Sequence, residues 1–149
     1  MKKLLRSQAG MTLIEIMVVI TILGIIATIV TVNVLDRLDQ AKVSATKTQI
    51  KSLEMALDEF RRDNGYYPTT EQGLKALIEK PSIGRMPNNY PSHGYLKGGK
   101  VPHDSFGGDF LYYSPGNNGN RYEIVSLGAD GQEGGEDADA DIKSWEISN

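Results

Sequence analysis

The sequence predicts an α+β fold: one long N-terminal α-helix packed on a small antiparallel β-sheet. Three observations predict it. Residues 11–64 are rich in helix formers and contain no Pro and a single Gly, Gly24. Within that stretch the apolar pattern changes, from apolar all round to apolar on one face. Beyond residue 109, short aromatic and β-branched runs alternate with segments rich in Gly, Asn and Pro, the pattern of strands and turns.

The first ten residues form a basic leader, with Lys2, Lys3 and Arg6, that ends in Gly10. The run that follows, 11–35, carries one charge, Glu15. From Ile16 to Leu35 no residue is charged. At about 1.5 Å per residue that length crosses a hydrocarbon core of roughly 30 Å. Three cations precede the run and Asp36 follows it, so the positive-inside rule puts the N-terminus in the cytoplasm and the remainder outside. A secretory signal has a shorter apolar region, about 7–15 residues, and passes into polar sequence after its cleavage site. Here the run passes directly into more helix. A carboxylate in hydrocarbon costs on the order of 3 kcal/mol even on lenient scales. Glu15 therefore calls for a partner, and cutting after Gly10 would create one: the α-amine of Met11.

The second half of the helix repeats its apolar residues at Ile50, Leu53, Leu57 and Phe60, one face of a 3.6-residue period. Lys51, Glu54, Asp58, Arg61 and Arg62 fall largely on the other side. Asn64-Gly65 is a left-handed stop signal. Thr69-Thr70 then offers an N-cap for a short helix over 71–79, with Leu74, Leu77 and Ile78 facing inward. Residues 81–109 read as a long ordered loop. Strands are expected over 110–113 and 122–126, joined as a hairpin through the turn-rich 115–119. A third is expected near 145–147. The sheet would pack on Ile50, Leu53, Leu57 and Phe60.

Composition narrows function. At 149 residues the chain is one domain with appendages, its formal charge is -3, and it has no cysteine. Loss of the leader would make it more acidic. An acidic chain without a basic stripe does not bind nucleic acid by charge, and disulfides and thiolate metal sites are excluded. His93 and His103 stand isolated in turn-rich sequence, and Ser126 has no neighbouring His for a nucleophilic role.

One further segment carries chemistry. Asp130, Glu133, Glu136, Asp137, Asp139 and Asp141 lie in a glycine-rich loop that has no Lys or Arg between its ends. Hard oxygen ligands in a flexible loop suit Ca²⁺, which takes about 6–8 oxygens. The alternative is a solvated acidic loop. Asp137-x-Asp139-x-Asp141 imitates the start of an EF-hand, but Ile142 stands where that loop requires Gly and Ser148 where it requires Glu. An EF-hand is rejected.

Gly10-Met11-Thr12-Leu13-Ile14-Glu15 resembles the class III leader of type IV pilins and type II secretion pseudopilins. Asp39-Gln40-Ala41-Lys42, Tyr67-Pro68-Thr69-Thr70, Gln72-Gly73-Leu74 and Leu127-Gly128-Ala129-Asp130-Gly131 resemble the major, G-type pseudopilins of type II secretion. The likeness covers nearly the whole chain. It implies a type IV pilin-like fold, with a leader at 1–10 cleaved after Gly10, a transmembrane and filament-core helix at 11–35, and a periplasmic globular domain at 36–149. It implies prepilin peptidase processing, N-methylation of Met11, and pairing of Glu15 with the Met11 amine of a neighbouring subunit. It implies a C-terminal calcium-binding loop with Leu127, Asp130, Gly135, Asp137 and Asp139 as ligands, Asp141 being a turn or capping residue.

The resemblance further implies a non-enzymatic major subunit of the type II secretion pseudopilus. This is a helical homo-oligomer, anchored in the bacterial inner membrane, that grows into the periplasm. Its partners would be minor pseudopilins, an inner-membrane assembly platform and an outer-membrane secretin through which folded proteins leave. The alternative is the major subunit of a type IV pilus, many of which close a C-terminal loop with a disulfide that this chain lacks. Two departures stand out: Met11 replaces the family's usual Phe, and Val32 stands where relatives often carry Pro, so no proline kink is expected there.

Overall fold

The structure, a computed structural model, describes residues 11–147, the side chains of 29–33 excepted. Helix α1 runs Leu13–Asn64, and three short strands follow: β1 (Leu111–Tyr113), β2 (Glu123–Ser126) and β3 (Ile142–Lys143). The chain divides into two compact units, one ending at Leu38 and the other beginning at Asp39.

In the first unit the described apolar side chains face outward; Leu13 is 81% exposed and Ile20 60%. Thr21 and Thr28 turn their hydroxyls back to the Met17 and Gly24 carbonyls, at 2.7 and 3.0 Å. That bond satisfies a hydroxyl within its own helix. Among the described residues no helix is long and apolar enough to cross a membrane. The expected transmembrane run at 11–35 includes the excepted side chains, and the leader at 1–10, with Gly10, lies outside the described residues.

In the second unit α1 buries Thr46, Ile50, Leu53, Leu57 and Phe60 completely. Their alternating spacing of four and three keeps them on one stripe. Burying a side chain of this size contributes roughly 1.5–3 kcal/mol. The stop signal works as expected: Gly65, at φ 82°, donates its N–H to the Arg61 carbonyl at 2.7 Å. That is the left-handed C-cap, a conformation in which a Cβ would be strained.

The sheet order is β1-β2-β3, all antiparallel. Tyr112, Ile124 and Ile142 face inward and join the α1 stripe in one core. Tyr112 also donates its hydroxyl to the Pro68 carbonyl at 2.8 Å. The hairpin is present, and its connection is ordered by Glu123, whose carboxylate accepts the Asn118 N–H at 2.9 Å and the Asn120 amide at 3.3 Å. Burial opposes the charged form of Glu123, but these bonds outweigh it and hold the carboxyl below its ordinary range.

Two expectations are corrected. The third strand is Ile142–Lys143, and the segment expected to be a strand instead begins within a 3-10 turn, Ser144–Glu146. Ile142 pairs with Ser126 and fills the core, and the Ser144 hydroxyl oxygen then accepts the Ile124 N–H at 3.1 Å. A side-chain oxygen takes the next ladder position, so the strand ends there. The short helix expected over 71–79 is a 3-10 turn, Leu74–Leu77. Gly73 precedes it at φ 61°, ψ -172°, outside helical space, so no α-helix can pass through. Leu74 and Leu77 are buried as expected, and Ile78 is half-buried.

The long loop is ordered by polar anchors. Asp104 is buried, with one carboxylate oxygen accepting the Phe106 and Gly108 N–H groups at 3.0 and 2.7 Å and the other accepting the Ser126 hydroxyl at 2.5 Å. The Ser105 N–H donates to the Thr46 hydroxyl at 3.1 Å, tying the same turn to α1. Gly94 lies so close to the Leu77 carbonyl that a Cβ would fall 2.7 Å from it.

Candidate functional site

Glu15 occupies the first turn of α1, where the helix dipole favours a negative charge. Its carboxylate accepts the Thr12 N–H at 2.8 Å and the Thr12 hydroxyl at 3.0 Å, while the Glu15 N–H approaches the Thr12 hydroxyl oxygen at 3.3 Å. This is a capping box, in which residues three apart satisfy each other's helix-end groups. Met11, Ile14, Val18 and Val19 surround Glu15 in a shallow apolar cavity of about 380 Å³. Thr12 is the first letter of Thr-x-x-Glu, the local signal of such a cap. The arrangement gives the carboxylate local donors while leaving it exposed to an incoming cation.

The C-terminal loop closes on itself through its backbone. The Ala129 N–H donates to the Ala138 carbonyl at 3.0 Å, and the Asp141 N–H to the Gly134 carbonyl at 3.1 Å. The Asp139 carbonyl sits between Gly128 and Gly135; a Cβ on either would fall 2.6 or 2.5 Å from its oxygen. Those two glycines are therefore required by close approach. Asp137 takes φ 54°, a left-handed conformation that Asp tolerates better than most residues.

The five expected ligands share this loop. Leu127 is half-buried, and Asp130, Gly135, Asp137 and Asp139 are exposed. The Asp130 carboxylate accepts the Gln132 N–H at 3.0 Å. Among the described residues no three acidic or histidine side chains are already gathered as a metal site. The donor chemistry nevertheless fits a hard cation. Every candidate donor is oxygen, and one buried carboxylate oxygen, Asp141 Oδ1, has no hydrogen-bond partner. The other oxygen of Asp141 accepts the Gly134 N–H at 3.2 Å, which is the turn-closing role expected of that residue. The unpaired oxygen adds a donor that its sequence position did not suggest.

Gln72 anchors the long loop, a role its place in the Gln-Gly-Leu segment does not signal. Its side-chain oxygen accepts the Thr69 N–H at 3.1 Å, and its amide donates to the Ile83 and Arg85 carbonyls at 2.7 and 2.9 Å. The Thr-x-x-Gln spacing signals the first bond; nothing local signals the other two. His103 meets the exposed Asp109 at 2.8 Å.

Residues 33–145 match the family described as type II secretion system (T2SS), protein G. The chain belongs to this family. Residues 5–31 also match the prokaryotic N-terminal methylation motif. Type II secretion system core protein G of Pseudomonas aeruginosa is 50% identical over 141 residues, covering 95% of this chain and 97% of the relative. The core protein G of Vibrio cholerae is 48% identical over 149 residues, 100% of this chain and 99% of the relative. Among solved structures, the major pseudopilin of enterohaemorrhagic Escherichia coli superposes with a TM-score of 0.66 at 38% identity, covering 77% of this chain and 96% of that one.

The family is a structural pseudopilin family, not an enzyme family. The chain is a structural subunit of the type II secretion pseudopilus, and the type IV pilus alternative falls away. Protein G membership and the methylation motif place it in a membrane-anchored pseudopilus of the periplasm.

Proposed function

We propose that the protein G chain acts as a filament unit whose two ends do different work. Prepilin peptidase cuts after Gly10 at the inner membrane, and Met11 becomes the N-methylated terminus. Residues 11–35 anchor the subunit and then form the filament core. Glu15 exchanges part of its Thr12 capping for the Met11 amine of the next subunit, which sets the axial register. Attraction between the two charges is strong in an apolar medium, although desolvation offsets much of it. The observation that carries this reading is an exposed carboxylate in a first helical turn, ringed by exposed apolar side chains.

The 36–149 domain faces the periplasm. There the inner-membrane assembly platform adds subunits beneath minor pseudopilins, and growth pushes folded cargo through the outer-membrane secretin. Leu127, Asp130, Gly135, Asp137 and Asp139 would hold Ca²⁺ in the C-terminal loop, where Asp141 carries a further oxygen without a hydrogen-bond partner. A cation held there would offset the mutual repulsion of these carboxylates and favour the folded loop.

The test is secretion of a reporter exoprotein from cells with the chain deleted, restored, or restored as Glu15→Ala. Deletion abolishes secretion, the intact chain restores it, and Glu15→Ala is processed but does not restore it. Normal secretion with Glu15→Ala would remove the register role. Mass spectrometry of the mature chain checks the terminus, and an intact Met1 would refute the processing step.

A further inference from the structure

Asn is followed by Gly at two places, Asn64-Gly65 and Asn118-Gly119. Asn is chemically labile, and most so in this pair. The Gly nitrogen can attack the Asn side-chain Cγ, and no Cβ on the Gly hinders the approach. The fold treats the two pairs differently. Asn64 ends α1 and is half-buried. Its amide nitrogen donates to the Phe60 carbonyl and the Tyr95 hydroxyl, both at 3.1 Å, and its amide oxygen accepts the Asn89 N–H at 3.2 Å. The attacking group is held as well, because the Gly65 N–H donates to the Arg61 carbonyl at 2.7 Å. Attack at Asn64 would have to break all of these bonds.

Asn118-Gly119 lies in the connection between β1 and β2, and both residues are exposed. Among the described residues nothing accepts the Gly119 N–H, and a Cβ built on Gly119 would meet nothing within 4 Å. The tip is tied down beside the reacting atoms. The Asn118 N–H donates to the Glu123 carboxylate at 2.9 Å, and the Gly116 N–H to the Asn120 carbonyl at 3.0 Å. Neither bond uses the attacking nitrogen or the Asn118 Cγ. Burial opposes the charged form of Glu123; the Asn118 and Asn117 N–H groups favour it most, then the Asn120 amide, and the Asn118 amide least. The Asn118 side chain is therefore only lightly held.

We propose that Asn118 is a site of spontaneous deamidation, a one-way change that the fold permits at the hairpin tip and blocks at Asn64. The Gly119 nitrogen bonds to the Asn118 Cγ and gives up its proton. The Cγ–Nδ2 bond breaks and ammonia leaves. Water then opens the cyclic imide. Breaking the new N–Cγ bond yields aspartate; breaking the original backbone C–N bond yields isoaspartate, with the chain routed through the former side chain. Either product sets a second carboxylate near Glu123, which is buried, and removes one of its amide donors. The hairpin connection loosens as a result.

The detergent-solubilised full chain is aged at mildly alkaline pH, digested, and read by mass spectrometry with fragmentation to place the change. Asn118 deamidates at least about tenfold faster than Asn64, a barrier difference of about 1.4 kcal/mol. In denaturant, where neither pair is held, the two rates converge. Equal rates in the folded chain, an Asn118 that stays intact there, or a gap that persists in denaturant would overturn the proposal. Hydrogen exchange over residues 114–126 reads the consequence. The aged wild-type chain exchanges faster there than the fresh one, whereas Asn118→Ser, which has no amide to lose, does not change with age. Equal ageing of the two chains would overturn the effect on the hairpin.

Discussion

The two units of this chain use apolar residues in opposite ways. In the unit that begins at Asp39, Ile50, Leu53, Leu57 and Phe60 are completely buried within one polypeptide. In the unit that ends at Leu38, Leu13, Ile14, Ile20 and Leu23 are at least 58% exposed. The first pattern is satisfied by folding. The second is satisfied only by something outside the subunit, either lipid or other copies. Helix α1 supplies residues to both, so one secondary structure carries a folding surface and an assembly surface. The difference teaches that burial within a single subunit is no measure of how much an apolar residue matters.

Substitution should separate the two. Phe60→Ala removes a completely buried ring and is expected to destabilise the globular unit by about 3–5 kcal/mol in denaturant unfolding. Val19→Ala should leave that transition within about 0.5 kcal/mol while weakening filaments. A Val19→Ala chain that melts like Phe60→Ala would break the distinction.

Calcium removal comes next. For the detergent-solubilised full chain, EDTA should lower the melting temperature and Ca²⁺ should restore it. At a free concentration a hundred times Kd the stabilisation is about 2.7 kcal/mol. A curve indifferent to EDTA counts against the loop site.

Asp104→Ala leaves two backbone N–H groups and the Ser126 hydroxyl without their acceptor, and should cost about 1–3 kcal/mol. The smallest effect belongs to the first unit. Thr12→Ala removes a capping partner worth about 1 kcal/mol to local helix stability. Hydrogen exchange should rise in the first turn of α1, with no change in the melting of the globular unit. A shift in that melting would mean that the Thr12 cap also stabilises the globular unit.

Much of the fold was legible because its signals are local and periodic. The spacing of Ile50, Leu53, Leu57 and Phe60 marks a stripe, Asn64-Gly65 marks the stop, and the two flanking runs mark a hairpin. The failures came where a local signal met a competing one. Gly73 stands inside an otherwise helical pattern and takes a left-handed conformation, and Ser144 ends a strand with its own hydroxyl. Of the candidate site, residue identity was legible but mutual position was not. The acidic loop was evident as a group, whereas Asp141's unpaired oxygen depends on burial.

By itself the sequence determined where the helix stops, which face of its second half is apolar, that no disulfide forms, and that Glu15 stands alone in an apolar run. Those properties depend on residue type and near-neighbour spacing. Only the tertiary structure decided that Asp104 reaches Ser126, that Gln72 holds a corner eleven and thirteen residues away, and that Gly128 and Gly135 enclose the Asp139 carbonyl. Such contacts join residues distant along the chain, and their energies depend on burial and geometry that no local pattern encodes.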